Sequence, residues 1–141
     1  MRDLIHELKA VRLISPTSVA DNTPFVSQII DLQGYDSIAF YILTGSLADA
    51  DATFTTLLEE GDAGNLSDAA AVADIDMLSD VRGIAPEVAA SFNFSNDDGV
   101  FRLGYIGNKR YVRLTITPAA NAAAANIAAL AIKGDPAIMP T

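Results

Sequence analysis

Chemistry in a small chain usually rests on a histidine beside a nucleophile, a reactive thiol, or a cluster of metal ligands. This sequence holds one histidine, His6, and no cysteine. A serine nucleophile needs a base held next to it, often on a Gly-x-Ser-x-Gly turn, and no such turn occurs. His6 stands near the N-terminus and reads as a surface or interface residue. A zinc site needs several Cys or His ligands, which the chain does not have.

Carboxylates are the one abundant resource, with 18 Asp and Glu against 9 Lys and Arg. Asp49, Asp51 and Glu60 fall at the first, third and twelfth places of a calcium loop. The sixth place, which needs glycine for a sharp turn, is Phe54 inside a strand-like run. Asp74-Ile75-Asp76 and Asn96-Asp97-Asp98 have oxygens to offer a calcium ion, yet such residues commonly cap turns by bonding nearby backbone N–H groups, and that reading is preferred. Nothing singles out a carboxylate pair for glycoside hydrolysis. Gly104-Tyr105-Ile106-Gly107 matches the clamp loop of an RNA-binding module, but that module's helices are missing. The expectation is a protein that is not an enzyme and uses no metal or cofactor.

A net charge of −9 disfavours nucleic acid as a partner, because phosphate binding draws on a basic surface. The charge is uneven: residues 49–98 carry twelve acids and one base, and residues 99–141 carry five bases and one acid. Arg102, Lys109, Arg110 and Arg113 form a local basic stretch. It reads either as a solvated hairpin whose bases pair with nearby acids or as a contact patch for an acidic protein surface. Tyr35, Tyr41, Tyr105 and Tyr111 read as core or cross-strand packing. No apolar run approaches eighteen residues and the first seven residues carry charges where a signal peptide needs its apolar stretch, so neither a membrane span nor secretion is expected. The lack of cysteine fits synthesis in a reducing cytosol.

The elements that must position these residues are mainly strands. Alternation predicts Ala10 to Ser15, ended by Pro16; Phe25 to Leu32; Ser37 to Leu43; Thr53 to Glu59; Val88 to Phe94; Val100 to Ile106; Arg110 to Thr117, ended by Pro118; and Asn126 to Ile132. The Ser37–Leu43 run is apolar on both faces, which predicts a central strand covered on both sides. In Arg110–Thr117, Val112, Leu114 and Ile116 share one face, opposite a polar one. Asn96-Asp97-Asp98-Gly99 reads as a hairpin turn. Leu66 to Ala73 is either a helical turn or an excursion between strands, and the alanine-rich 119–125 stretch has some helical character. Short strands with no βαβ alternation predict an all-β fold, an antiparallel β-sandwich of jelly-roll or related Greek-key type. Its expected parts are an N-terminal arm (1–9), a body (10–134) and an extended C-terminal tail (135–141), where two prolines oppose regular structure.

The segments Asp31-Leu32-Gln33-Gly34-Tyr35-Asp36-Ser37, Gly45 through Phe54, and Lys109-Arg110-Tyr111-Val112-Arg113-Leu114-Thr115 resemble those of small proteins from tailed-phage and prophage structural gene regions. The resemblance runs from about Leu4 to Pro140. It implies a virion component made in the bacterial host cytoplasm, most plausibly a head decoration or cement protein on the capsid exterior. Its implied partners are the major capsid protein and further copies of itself. The alternative within the virion is a tail or head–tail joining protein that forms an oligomeric ring; a carbohydrate-binding module is disfavoured by the absence of Trp. The resemblance carries no site residues with it. Physical reasoning offers apolar anchors on the two arms, Leu4, Ile5 and Leu8 at one end and Ile138 and Met139 at the other, with Arg102, Lys109, Arg110 and Arg113 as polar contacts. Each large anchor buried at a joint between subunits would contribute ~1.5–3 kcal/mol before ordering costs are subtracted.

Overall fold

A computed structural model describes residues 3–136. The strands are β1 (Lys9–Val19), β2 (Phe25–Val26), β3 (Ile30–Asp31), β4 (Tyr35–Leu47), β5 (Thr53–Gly61), β6 (Ala70–Ala71), β7 (Met77–Ser79), β8 (Phe92–Asn93), β9 (Val100–Tyr105), β10 (Tyr111–Ala119) and β11 (Ala125–Pro136). Two four-residue helices, α1 (Leu4–Glu7) and α2 (Pro86–Ala89), and a 3-10 turn at Asp74–Asp76 complete the description.

The strands form two antiparallel sheets. One runs β1-β11-β4-β9-β7; the other runs β2-β10-β5-β6, with β3 also on β10 and β8 also on β5. Taken along the chain the pairing is nested: β1 with β11, the β2–β3 pair with β10, β4 with β9, and β5 with β6. Nested antiparallel pairs rolled so that successive pairs fall in opposite sheets make a jelly roll. The protein is therefore an all-β antiparallel sandwich, as its strand pattern predicts.

The core lies between the sheets. Ile38, Phe40, Ile42 and Leu103 from one sheet meet Phe54, Leu58, Val112, Leu114 and Ile116 from the other, all buried. Phe92 stacks between Phe54 and Phe101, with ring centroids 5.0 and 5.1 Å away. Burying each large side chain stabilises the fold by ~1.5–3 kcal/mol.

The structure departs from the sequence reading where pairing, rather than propensity, sets the outcome. β1 continues through Pro16 because it is an edge strand whose register slips between Ile14 and Thr17, where a missing N–H breaks no ladder bond. β10 passes through Pro118, which lies beyond the short β2 pairing. β11 passes Gly134 and pairs Pro136 with Tyr35, so the first two residues of the expected tail continue the last strand. The predicted 25–32 strand is broken at Ser27, whose hydroxyl accepts from the Leu114 N–H at 3.0 Å, while the Gln28 N–H turns to the Leu13 carbonyl of the other sheet.

The predicted 88–94 strand is only partly formed: Val88 and Ala89 end α2, started by Pro86 at a helix N-terminal position, and only Phe92–Asn93 pair, with β5. Phe94 points to solvent instead of sharing the inner face with Phe92. The 96–99 turn is not a hairpin: β8 and β9 belong to different sheets, and the turn docks on β4, with Thr44 Oγ1 donating to the Asn96 carbonyl and accepting from the Gly99 N–H. Residues 66–73 are an excursion, and 119–125 hold no helix. There Asn121 is buried and donates to the carbonyls of Val19 and Asp21, tying two loops together.

Residues 72–91, between β6 and β8, split the strand that should flank β5. β6 and β8 pair only with the two ends of β5, and side chains fill the gap: the Thr56 N–H donates to Ser91 Oγ and the Leu58 N–H to Glu87 Oε1 at 2.7 Å.

Candidate interaction surface

Each sheet has a second, outward face, and the two differ in chemistry. On the β2-β10-β5-β6 sheet the outward residues include Thr53, Thr55, Thr115 and Thr117, with Arg113 and Glu59 as a cross-strand ion pair at 3.0 Å and with Val26 and Leu57 on either side of Thr115. This face is mainly polar. On the five-stranded sheet the register aligns Ala10, Ile132, Ala39, Gly104 and Leu78 in one row across the strands. The next row is Arg12, Leu130, Tyr41 and Arg102, and a third is Ala128, Leu43 and Val100. These rows are apolar apart from the two arginines and contain no acid. Ala39 and Tyr41 are half-buried and Leu43 is 40% exposed, so β4 is central in its sheet as predicted but the described chain does not cover its second side. Two shallow grooves of about 330 Å³ each cross this face, one along Ala10, Arg12, Leu43 and Leu130, the other along Tyr41, Leu78 and Arg102.

A second distinctive region is the end of the sandwich where α1 and the last residues of β11 meet. Asp3 caps α1 by accepting from the His6 N–H, and the carboxylate also contacts the His6 ring, which holds the Asp3 carboxyl below its usual range. Leu4 and Ile5 on this helix are exposed, Ile5 at 81%. Leu8 is half-buried and lies over Gly134, where an added Cβ would come within 3.2 Å of it. Exposed Ile75 and Ile106 join the same end, since the Ile106 N–H donates to the Asp76 carbonyl. Two clefts open here: one of about 510 Å³ beside Leu8 and Gly134, and one of about 440 Å³ beside Tyr35, Tyr105, Lys109 and Arg110.

The four bases read as a stretch in the sequence are dispersed, and each has an acid in the chain. Arg102 lies on the apolar sheet face and pairs with Asp80 at 2.9 Å. Arg113 lies on the opposite face with Glu59. Lys109 and Arg110 sit at the end of the sandwich, Lys109 with Asp62 at 2.7 Å and Arg110 with both oxygens of Asp31 at 2.9 Å. The hydrogen bond from Arg110 is the main reason the Asp31 carboxyl is held below its usual range; in turn the bonds to acids raise Arg102, Lys109 and Arg110. Tyr105 donates to Glu60, and burial followed by that bond pushes the phenol well above its usual range. Ile138 and Met139 lie outside the described residues.

Of the carboxylates weighed for calcium, Asp49 and Asp97 bond backbone N–H groups and Glu60 accepts from Tyr105. Asp49 accepts from the Asp51 and Ala122 N–H groups, and Asp97 from the Leu47 N–H. Among the described residues, no group of three or more His, Cys, Asp or Glu is placed to hold a metal ion. No helix among them is long and apolar enough to cross a membrane. What the sequence reading missed is the apolar outer face. Its signal lay in the doubly apolar runs Ala39 to Leu43 and Ala128 to Ile132.

These features define the class of the protein: a jelly-roll sandwich, an architecture shared by viral capsid and lectin domains among others, with one apolar outer face. No family model matches the chain, and no curated protein matches it. Among solved structures it is similar to a chain in the structure of infectious bursal disease virus Gx strain, with a TM-score of 0.53 and 10% identity over 94% of this chain and 34% of that one. The chain thus spans about a third of that viral protein, and at this identity the likeness concerns the fold alone. The Yersinia pseudotuberculosis-derived mitogen matches with a TM-score of 0.44 and 10% identity over 93% of this chain and 88% of its own. The infectious bursal disease virus VP2 subviral particle matches with a TM-score of 0.32 and 11% identity over 92% and 41%. These two scores are too low to bear on the fold.

Proposed function

We propose that the chain is a non-enzymatic structural protein of a virus particle, a head decoration or cement protein that lies on the capsid exterior and fastens neighbouring major capsid subunits. The observation that carries this reading is the pair of exposed apolar side chains Leu4 and Ile5, presented on α1 at the end of the jelly roll where α1 and the end of β11 meet. A body with its anchors at one end can sit on a shell and present the rest outward. The jelly-roll architecture shared with the viral chain and the likeness to phage structural-region proteins support the same reading. His6, paired with Asp3 on an exposed helix, is not set against a nucleophile.

The test is binding of the purified protein to assembled, undecorated shells. The reading expects co-sedimentation with shells and a higher temperature of shell disruption. A variant with Leu4→Ser and Ile5→Ser should bind at least about tenfold more weakly while melting like the wild type, since neither side chain is buried. Shells equally stable with and without the protein would refute a cementing role. Location in the tail or at the head–tail joint of an imaged particle would favour the ring-forming alternative.

A further inference from the structure

We propose that the apolar outer face of the five-stranded sheet is a self-association surface, and that its occupant is the 74–88 segment of a second copy of this chain. The proposal does not depend on which particle the protein joins. The face carries Arg12 and Arg102 in one row with Leu130 and Tyr41, and none of its aligned rows contains an acid, although acids outnumber bases two to one in the chain. Arg102 is already neutralised by Asp80. Arg12 is exposed, donates to Ser15 Oγ at 2.7 Å, and meets no carboxylate among the described residues.

The 74–88 segment has the complementary character. It exposes Ile75 at 83% and Val88 at 64%, with Val81 and Ile84 between them; Asp80 already serves Arg102 and Glu87 the Leu58 N–H, which leaves Asp74 and Asp76 as its further acids, against the single base Arg82. The segment is held in shape by its own chain: the Asp76 carbonyl accepts from Ile106, the Ser79 hydroxyl bonds both the N–H and the carbonyl of Val81, and Glu87 accepts from Leu58. Exposed apolar groups on a fixed loop, flanked by acids, match an apolar sheet that carries arginine in chemistry and in sign.

Two other occupants fit less well. The aligned rows of a second copy's identical face offer Arg12 no acid. The chain's own segment leaves the sheet at the β7 edge, four strand spacings or about 19 Å from β1, and is tied to β5 by Glu87 and Ser91. It cannot reach the groove beside Arg12 without abandoning those bonds. The contact joins two different patches, so segments placed each on the next copy's face generate rings or strings, and two copies that seat their segments on each other close a two-fold pair.

The experiment is sedimentation of the isolated protein from micromolar to millimolar concentration, without shells. Wild type should associate, more weakly at high salt. Leu43→Glu on the face and Ile84→Glu on the segment should each weaken association about tenfold or more. Both positions are exposed, so melting temperatures should stay near wild type; Leu43→Ser and Ile84→Ser serve as gentler partners if either glutamate variant unfolds. The decisive arm mixes the two variants: each keeps the half that the other lacks, so the mixture should form a two-chain complex and grow no further. A wild type that stays monomeric at millimolar concentration, unimpaired association of Ile84→Glu, or a mixture that stays monomeric would each overturn the proposal. Shell binding is measured separately, so failure of one reading leaves the other standing or falling on its own data.

Discussion

The two outward faces of the sandwich both come from antiparallel strands with one side turned to the core, yet one is threonine-rich with an ion pair and the other is apolar. On β10 alternation is complete: Val112, Leu114 and Ile116 face the core while Arg113, Thr115 and Thr117 face outward. On β4 and β11 it is incomplete, because Ala39, Tyr41 and Leu43, like Ala128, Leu130 and Ile132, are apolar where solvent should be. Solubility alone does not call for such a surface, and contiguous apolar patches on soluble proteins tend to mark contact sites. The polar face shows what this fold needs to stand by itself; the apolar face shows what it keeps for a neighbour.

The largest expected effect separates the inside of the polar sheet from its outside. Leu114→Ala, which empties a fully buried position, should cost ~2–5 kcal/mol in urea unfolding. Thr115→Ala, next along β10 but outward, should stay within about 0.5 kcal/mol. Equal losses at both positions would mean the polar face is not free.

Next comes the gap in the β5 edge. Glu87→Ala should cost ~1–3 kcal/mol, because the Leu58 N–H is left without its acceptor. Glu87→Gln keeps an acceptor oxygen and tests the charge. Burial, partly offset by the Leu58 bond, raises the Glu87 carboxyl above its usual range. The protonated form is therefore favoured by folding: the stabilisation is complete below the ordinary glutamate range and is lost as pH rises through the folded value. Near pH 7 the Gln variant should be at least as stable as wild type, and near pH 3 the two should coincide. A Gln variant clearly weaker at neutral pH would show that the charged form is the one the fold uses.

Smaller effects come from the exposed end. Asp31, held low mainly by its bond from Arg110, stabilises the fold above the ordinary aspartate range and loses that contribution as pH falls through its lowered value. Since both partners are nearly half exposed, Asp31→Asn should cost under about 1 kcal/mol at pH 7, and less in acid. The smallest effect should be the Arg113–Glu59 coupling on the polar face, about 0.2–1 kcal/mol in a double-mutant cycle and weaker in high salt. A coupling several times larger would make that face more than a solvated one.

Much of the architecture was legible in local pattern. Period-two alternation in 53–59 and 110–117 marked β5 and β10, and the apolar 37–43 run marked a central strand, because a strand's side chains report their two environments directly. The interface candidates were less legible. The bases at 102–113 look like one patch along the chain, but a turn and two sheet faces separate them, and their acids come from distant segments, Asp31 for Arg110 lying 79 positions away. Prolines misled for a related reason: Pro16 ends a strand only if its missing N–H would have been paired, and on the β1 edge it is not.

The sequence by itself determined the class: short alternating strands, no histidine or cysteine cluster, and a charge unsuited to nucleic acid. Those properties are local or additive, so they can be read without knowing what touches what. Only the tertiary structure decided the nesting of the strand pairs, the splitting of the strand beside β5, and the exposure of an apolar sheet face. Each of these depends on which distant segment arrives to pair or to cover, and a side chain's hydrophobicity does not say whether its cover comes from its own chain or from another.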